Sequence, residues 1–472
     1  MTLGEISDAF TDTRDRGGPE KFELIGFDAC LMASIEVLSE LDEFGKVMVA
    51  SQEVEPGWGW DYSTIVQSLR DNPEQTGFEL GRTIADSYVK HIDSKTIDFD
   101  EYNTQDALTI SVIDLSKIPA LESAVDGLSV DFYREMDDQG AAKDFAKAIG
   151  QTERFGIGSG FSSSHVDLYH LASNIEQQFR ELQAPAGEIK NLVDEAVVYN
   201  INRVLHQDSR GISMFMPEAR EELEMSAGGS LDRWERIITK FNSLLSTDIA
   251  APVLDYEPEF RDDIIYGELT ATDLDRIQIF VAKELLEGTT FQIVAYFEQS
   301  PDDLVYEDRF SYHVDKTIIS LCNGEECRPA WMYSESSGVS KYAIFPVRLE
   351  SNDFSGEVSL IYHMLNATTF KFIGAWPGIS EDGTASRELM PLEKSDKLYM
   401  IGFQIDIRTG EKYNKVIESD PIEVLGEGFG PAFHVYEGEY FITLGFCDFV
   451  QNCNYSPGYS FEAEATEKSE LE

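Results

Sequence analysis

The chain has 472 residues, enough for two or three domains of ordinary size. Apolar residues make up 42% and aromatic residues 11%, which excludes a wholly disordered chain. With 87 acidic against 37 basic residues the net charge is −50, which excludes nucleic acid and anionic membranes as main partners. No apolar run of about 18 residues predicts a membrane span, and the first residues lack a secretory signal. Such acidity is typical of a solvated surface, and it also attracts cationic substrates.

Residues 1 to about 245 alternate between predicted strands and helices. Short apolar runs indicate strands, and apolar residues spaced by three and four indicate helices. In chain order, the predicted strands are 22–27, 47–50, 108–113 and 211–216, and the predicted helices lie around 31–41, 78–88, 189–197 and 234–245. This alternation predicts a mainly parallel sheet with helices on both faces.

The pattern changes after residue 245. A linker is predicted over 246–257, and beyond it short strand patterns dominate, separated by turn residues. They lie at 291–297, 342–347, 358–362, 398–403 and 440–444. We therefore expect an α/β domain over 1–245, a β-rich, sandwich-like accessory domain over 258–461, and an acidic disordered tail over 462–472.

Cys30 occupies a chemically informative position, after the first apolar run and before a helical pattern. Ligands of open parallel sheets bind at the carboxyl ends of the strands. A helix amino terminus there favours the thiolate, and the backbone N–H of Cys30 is placed to hold an oxyanion. The structural alternative is a buried cysteine, because cysteine is among the most buried residue types.

The segment Asp28-Ala29-Cys30-Leu31-Met32 resembles the signature of the clostripain family of cysteine endopeptidases, which belongs to the caspase-like clan. Further similar segments follow in the same order over about residues 3 to 245. They are Ala50-Ser51-Gln52-Glu53, Pro56-Gly57-Trp58-Gly59-Trp60-Asp61-Tyr62, Ser111-Val112-Ile113-Asp114-Leu115, Val166-Asp167-Leu168-Tyr169 and Gly211-Ile212-Ser213-Met214-Phe215.

The resemblance implies a caspase-like α/β/α sandwich, N-terminally incomplete, that hydrolyses peptide bonds after Arg or Lys through an acyl-enzyme on Cys30. Such specificity requires a carboxylate that holds a guanidinium, for which Asp28 and Asp61 are the candidates. Trp58 and Trp60 are candidate apolar walls. The alternatives are a loop-fixing hydrogen bond for Asp28 and a helix N-cap for Asp61.

The proton acceptor of the clan is a histidine in a His-Gly pair that precedes the cysteine. No histidine precedes Cys30 here, and none of the seven lies in a His-Gly pair; they are His91, His165, His170, His206, His313, His363 and His434. His165 and His170 flank Asp167, but their spacing of five favours structural roles. We therefore expect the base on a missing upstream segment, lost by truncation of the gene or carried by a separate light chain.

The remaining cysteines form two close pairs, Cys322 with Cys327 and Cys447 with Cys453. Close pairs on β-rich turns favour small disulfide loops, typical of exported proteins, while zinc ligation and unpaired thiols are the alternatives. We expect the protein outside the cell or at its surface, its signal peptide lost with the missing N-terminus.

Cofactor requirements are not evident from the sequence. The acidic pairs Asp262-Asp263 and Asp302-Asp303 are candidate calcium ligands, but no spaced Asp/Asn loop ending in Glu surrounds them, so solvated surface is the default. The alternative function is a catalytically inactive remnant, or an extracellular binding protein that acts through its β-rich domain.

Overall fold

The structure is a computed structural model, and it describes most of the chain. The described residues are 3–56, 58–95, 104–156, 165–216, 232–245, 251–270, 274–286, 290–301, 304–306, 309–314, 316–337, 340–352, 354–366, 368–377, 389–406, 412–418, 420–426, 428–450 and 452–463. They form two compact units, built mainly from residues 1–248 and 249–472. Within the described residues, no helix has the length and apolar character that spanning a membrane requires.

The first unit contains helices and short strands. The helices are α1 (Leu3–Asp15), α2 (Ile35–Leu41), α3 (Tyr62–Asp71), α4 (Gly77–Asp93), α5 (Ile118–Glu135), α6 (Gln139–Gly150), α7 (Leu168–Gln178), α8 (Gln183–Ala196) and α9 (Asp232–Leu245). The strands are β1 (Ile25–Gly26), β2 (Val47–Ala50), β3 (Thr109–Asp114), β4 (Arg154–Phe155), β5 (His165–Asp167), β6 (Val197–Asn202) and β7 (Ser213–Phe215).

The central sheet of this unit has the order β1-β2-β3-β6. Every residue of β2 is buried, so both faces of the sheet are covered. On one face, α4 packs Ile84, Ala85 and Tyr88 against an apolar cluster that includes Val49 and Val112. The layered α/β class predicted for this half of the chain is therefore confirmed.

The prediction of a mainly parallel sheet is wrong. β1 and β2 are parallel, whereas β2 pairs with β3 and β3 with β6 in antiparallel register. One helix, α2, connects the parallel strands, but two helices, α3 and α4, connect β2 to β3. Because successive packed elements reverse the chain, an even number of them brings the next strand back in the opposite direction.

Two predicted strands and one predicted helix end also differ from the structure. The run 22–27 contributes only β1, with Phe22 in an isolated bridge to Gly45. The run 211–216 contributes β7, which belongs to a separate three-stranded sheet of order β4-β5-β7 rather than to the central one. Val197, expected at the end of a helix, begins the edge strand β6.

Local capping explains where the helices near the site begin. Ser34 has extended backbone, and its hydroxyl accepts a hydrogen bond from the Val37 N–H at the start of α2. Thr76 and Glu79 form a reciprocal capping box at the start of α4. These caps fix α2 just beyond the loop that contains Cys30, and α4 against the sheet.

The second unit consists of strands. They are β8 (Val253–Leu254), β9 (Glu259–Arg261), β10 (Ile264–Thr270), β11 (Leu274–Leu286), β12 (Thr290–Gln299), β13 (Val305–Tyr306), β14 (Arg309–His313), β15 (Ile318–Cys322), β16 (Cys327–Pro329), β17 (Tyr333–Ser337), β18 (Ser340–Glu350), β19 (Ser355–Asn366), β20 (Thr369–Trp376), β21 (Lys397–Asp406), β22 (Lys412–Glu418), β23 (Ile422–Glu423), β24 (Gly430–His434), β25 (Gly438–Asp448), β26 (Cys453–Tyr455) and β27 (Tyr459–Ala463).

The strands of the second unit form antiparallel sheets that share one hydrophobic core. The largest runs β20-β19-β18-β21-β12-β11-β25-β26, and smaller sheets contain β10 with β14 and β15 with β24. Ile265 of β10, Ile319 of β15, Phe345 of β18 and Phe446 of β25 lie in the same buried cluster. The five strand patterns read from the sequence all correspond to strands here, and the β-rich class is confirmed.

The disulfide prediction is confirmed for both cysteine pairs. Cys322 bonds to Cys327 and Cys447 to Cys453, each pair facing across adjacent antiparallel strands. In the predicted tail, residues 462–463 belong to β27, and 464–472 lie outside the described residues. In the predicted linker, residues 253–254 form β8, whereas 246–250 are not described.

Candidate functional site

Cys30 lies in a turn between β1 and α2. The turn is held beside the residues that follow β2: the Leu31 N–H donates to the Glu53 carbonyl at 3.3 Å, and the Ala33 N–H to the Ser51 carbonyl at 2.9 Å. Leu31 has φ +61°, a backbone conformation that a leucine rarely adopts. The surrounding hydrogen bonds therefore impose the turn that presents Cys30.

The Cys30 thiol is half-buried and receives a hydrogen bond from the Glu55 backbone N–H, with N···Sγ of 3.3 Å. Helix α2 begins only at Ile35, beyond its Ser34 cap, so Cys30 is not at the helix terminus. The expectation that the surroundings favour the thiolate is wrong for this chain. Burial raises the pKa of Cys30 and the Glu55 and Glu53 carboxylates raise it further, against the lowering by the Glu55 N–H.

Asp28 lies two residues before Cys30 and binds the start of α3. Its Oδ2 accepts hydrogen bonds from the Trp60 backbone N–H at 3.1 Å and from the Tyr62 hydroxyl at 3.0 Å. Gly59 allows this approach: it has φ +62°, and a Cβ there would lie 2.8 Å from Asp28 Oδ2. These bonds correspond to the loop-fixing alternative for Asp28, and its role toward substrate stays a prediction.

Glu55 places a second carboxyl group beside Asp28. The side chain is only 5% exposed, and its Oε1 accepts a hydrogen bond from the Trp60 indole Nε1 at 3.4 Å. Oε2 is buried and receives no hydrogen bond from the described residues. Trp60 also donates its backbone N–H to Asp28, so one residue binds both carboxyl groups. Burial, and then the adjacent Asp28, raise the pKa of Glu55 well above its usual range.

Asp61 is the N-cap of α3. Its carboxylate accepts from the Thr64 N–H at 3.1 Å and from the Thr64 hydroxyl at 2.6 Å, and these bonds lower its pKa. The capping alternative thus describes its contacts, and a role in substrate binding stays a prediction. Trp60 is buried between β1 and Glu55, whereas Trp58 is 42% exposed.

Gln52, just after the end of β2, links three segments of the first unit. Its amide donates to Asp167 Oδ2 at 3.0 Å, and its Oε1 accepts from the Ser209 hydroxyl at 2.5 Å and from the Gly211 N–H at 2.8 Å. Asp167 is fully buried, and burial raises its pKa to about 7. These bonds fix the end of β2 relative to β5 and β7.

Glu53 belongs to a second buried network. Its carboxylate accepts from the Gly156 N–H at 2.8 Å and lies 3.0 Å from His206 Nε2, and His206 Nδ1 lies 2.9 Å from Glu153 Oε1. Burial lowers the pKa of His206, but the hydrogen bonds to Glu153 and Glu53 outweigh it and raise the pKa to about 9. His206 is therefore a cation between two carboxylates at neutral pH.

His165 and His170 have structural contacts. Burial lowers the pKa of His165 to about 4, so its ring is neutral near pH 7. His170 Nδ1 accepts from the Glu153 N–H at 3.2 Å, and the His170 backbone N–H donates to the carboxylate of Asp167, the N-cap of α7. Candidate ligand atoms of Glu153, His170 and Asp208 lie within 4.8 Å of one another, but both Glu153 oxygens are already bound by His206 and by the Asp208 N–H.

The acidic pairs considered for calcium give no coordinating cluster in the described residues. Asp263 lies 3.2 Å from Lys316, an ordinary surface ion pair. The other pair, 302–303, lies outside the described residues.

The residues that sequence reasoning missed are Glu53, Glu55 and His206. The two glutamates belong to the segment Gln52-Glu53-Val54-Glu55, which directly follows the fully buried β2. Charged residues at the exit of a buried strand were a readable signal, because strand ends are where ligands meet a sheet. His206 is more than 150 residues from its partner Glu53, and no local pattern marks it.

Comparison with solved structures gives similarities at low identity. A cysteine protease from B. fragilis is 17% identical, with the match covering 52% of this chain and 94% of that one, at a TM-score of 0.32. A clostripain from Bacteroides thetaiotaomicron, in complex with a peptide inhibitor, is 16% identical, with the match covering 46% of this chain and 85% of that one, at a TM-score of 0.31. An inactive zymogen protease from Parabacteroides distasonis is 16% identical, with the match covering 52% of this chain and 61% of that one, at a TM-score of 0.34.

Among curated proteins, none matches the chain. The sequence profile of the clostripain family matches residues 1–248, which is more than half of the chain and contains every residue of the candidate site. The chain belongs to the clostripain family.

Proposed function

We propose that the protein is a cysteine endopeptidase that cleaves after Arg or Lys, with Cys30 as its nucleophile. The observation that carries this proposal is the pair of carboxyl groups beside the thiol. Trp60 binds both of them, Asp28 through its backbone N–H and Glu55 through its indole N–H, and the Glu55 N–H also binds Cys30 Sγ. None of the ion pairs among the described residues includes either carboxyl, so the cluster lacks the cation that a basic substrate side chain brings.

The walls around the carboxyl pair suit a long basic side chain. Trp60 is buried beside Glu55, and the exposed Tyr62 places its hydroxyl on Asp28. Aromatic faces of this kind stack on a guanidinium and cover an aliphatic stem. Asp28 is the principal specificity carboxylate in this proposal, and the solvent-facing Asp61 contributes at its rim.

The proposed reaction is nucleophilic. The Cys30 thiolate attacks the carbonyl carbon of the scissile bond, the amine leaves as it takes up a proton, and water hydrolyses the thioester that remains. The Cys30 backbone N–H is the proposed donor to the oxyanion. Because the pKa of Cys30 is raised in this chain, the reaction needs a base close to the thiol.

We propose that this base is a histidine supplied by an upstream segment or a separate light chain. All seven histidines of the chain follow Cys30, whereas the family resemblance implies a histidine that precedes the cysteine. His206 is a poor candidate, because both of its ring nitrogens are bound to buried carboxylates. An extracellular location is part of the proposal, and it is supported by the two disulfides of the β-rich unit.

The test compares matched peptides that differ only in carrying Arg, Lys, Gln or Glu at one position. The chain is assayed alone, with the polypeptide encoded in frame upstream of Met1, and with imidazole as a diffusible base. We expect cleavage after Arg and Lys when a base is supplied, and none by Cys30→Ala under any condition. Peptides left intact under all conditions would favour the alternative, an inactive binding protein.

A further inference from the structure

Glu55 is a buried acid with an unfilled hydrogen-bonding position. Its Oε2 is inaccessible to solvent and accepts from no described donor, although Oε1 is bound by the Trp60 indole. An ionised carboxylate in such a place loses its hydration without replacement, which is costly. A proton on Oε2 removes this cost, and it leaves one negative charge rather than two on the pair of carboxyl groups that Trp60 binds.

The titratable groups that face Glu55 come from each surrounding element, and those among the described residues are acidic or neutral. The loop after β1 contributes Asp28 and the Cys30 thiol, the start of α3 contributes Tyr62, and α4 contributes Tyr88. Both tyrosines titrate above their ordinary range, since burial and the carboxylates raise their pKa values. The proton of the carboxyl pair is therefore the one that a bound cation displaces near neutral pH.

We propose that Glu55 is a second specificity residue, which shares a proton with Asp28 while the pocket is empty and releases it when a cationic side chain binds. This inference rests on the proposed function. It extends that function by making selection of basic residues a proton exchange rather than a simple ion pairing.

The exchange balances without a further reactant. In the empty pocket, Glu55 carries the proton of the carboxyl pair on Oε2. When a guanidinium or amidinium enters, the O–H bond of Glu55 breaks, the proton passes to buffer, and the cation takes its place between two carboxylates. The bound pair thus has one more negative charge than the empty pair, matched by the ligand.

The test measures protons released when benzamidine, a planar amidinium, binds to the full chain carrying Cys30→Ala, which removes the thiol from the titration. Calorimetry in buffers of different ionisation enthalpy gives the number of protons directly. We expect close to one proton per bound benzamidine, and an affinity that rises about tenfold per pH unit between the ordinary carboxyl range and the raised pKa of Glu55.

The decisive variant is Glu55→Gln, which has the shape of the protonated acid but no proton to lose. We expect it to bind benzamidine with no proton release and no pH dependence over this range. The matched control is Glu74→Gln, which removes one exposed carboxyl of the same unit and should behave as the parent.

The outcomes distinguish the role of Glu55 from the proposed specificity for basic side chains. Binding with no proton release by the parent, or undiminished release by Glu55→Gln, would overturn the role of Glu55 while leaving the specificity for cations intact. If benzamidine fails to bind the parent chain at any pH, while the variants fold normally by circular dichroism, the proposed specificity itself fails along with this inference.

Discussion

His206 Nε2 lies 3.0 Å from Glu53 Oε2, and through its other nitrogen the same ring binds Glu153. All three side chains are buried. The Glu53 end of this network lies two residues from Glu55, whose N–H binds the Cys30 sulfur. The imidazolium thus fixes the loop that contacts the nucleophile from a position that is far away in the sequence.

Replacing His206 by Gln is expected to lower the free energy of unfolding by on the order of 3 kcal/mol, because two buried carboxylates then lose their cation. Amide hydrogen exchange in β2 and β3 measures this for the first unit alone. His91→Gln, at the exposed end of α4, is the matched control and should change stability by less than about 0.5 kcal/mol. Equal losses for the two variants would contradict the ion-pair role of His206.

The same network sets a pH dependence with a defined sign. The pKa of His206 is raised from 6.5 to about 9 in the folded chain, so folding is favoured by its protonation. Its contribution is fully present below about pH 6.5 and is lost as the pH rises through about 9. In the His206→Gln variant this alkaline loss of protection in β2 should disappear, and its persistence would assign the effect to another group.

Two substitutions at Asp61 distinguish its role as a helix cap from a role in substrate binding. Asp61→Ser keeps an N-cap oxygen and should leave stability nearly unchanged, whereas Asp61→Ala should cost about 1 kcal/mol. Since the carboxylate faces solvent, its loss should reduce selectivity for Arg over Gln peptides by less than about 1 kcal/mol in either variant. Asp28→Asn should reduce the selectivity for Arg over Gln peptides by about 2–5 kcal/mol in the same assay. A larger effect for Asp61→Ser than for Asp28→Asn would reverse their assignments.

The disulfides should stabilise the β-rich unit modestly, because each closes a short loop. For Cys447–Cys453, with a sequence separation of 6, the loss on replacing both cysteines by Ser is expected to be about 2 kcal/mol. Urea unfolding followed by hydrogen exchange in β25 checks this, and reductant should lower β25 protection less in the double Ser variant than in the parent, because only Cys322–Cys327 is left to reduce. A parent chain whose β25 protection ignores reductant would contradict this stabilising role.

The sequence predicts those parts of the fold that depend on local pattern. The strands later found as β12, β18, β19, β21 and β25, the helix α4 and both disulfides are each marked within a few residues by apolar periodicity or by close cysteines. The predicted strand direction is wrong, because it depends on the number of elements between strands. Helix α3 agrees with the N-cap alternative for Asp61.

Only part of the candidate site can likewise be predicted from local sequence patterns. Cys30 and Asp28 are found from the motif, since both lie at one strand exit. The positions of Glu55 and of the Glu53–His206 ion pair depend on long-range packing. Glu55 follows Asp28 by 27 residues, and no periodic pattern in the sequence indicates that the two side chains influence each other. The thiol pKa was misjudged for the same reason, because burial and two glutamates outweigh a helix that begins five residues later.

Covalent labelling by matched acyloxymethyl ketone probes that carry Arg or Gln tests whether Cys30 is a nucleophile beside an acidic specificity pocket. The other four cysteines are in disulfides, so intact-mass analysis should show a single adduct, and peptide mapping should place it on Cys30. The Arg probe should react faster than the Gln probe, both rates should rise with pH because the pKa of the thiol is raised, and Asp28→Asn should reduce the preference for Arg. Equal rates for the two probes, while iodoacetamide labels Cys30 readily, would contradict an acid-lined specificity pocket beside the nucleophile.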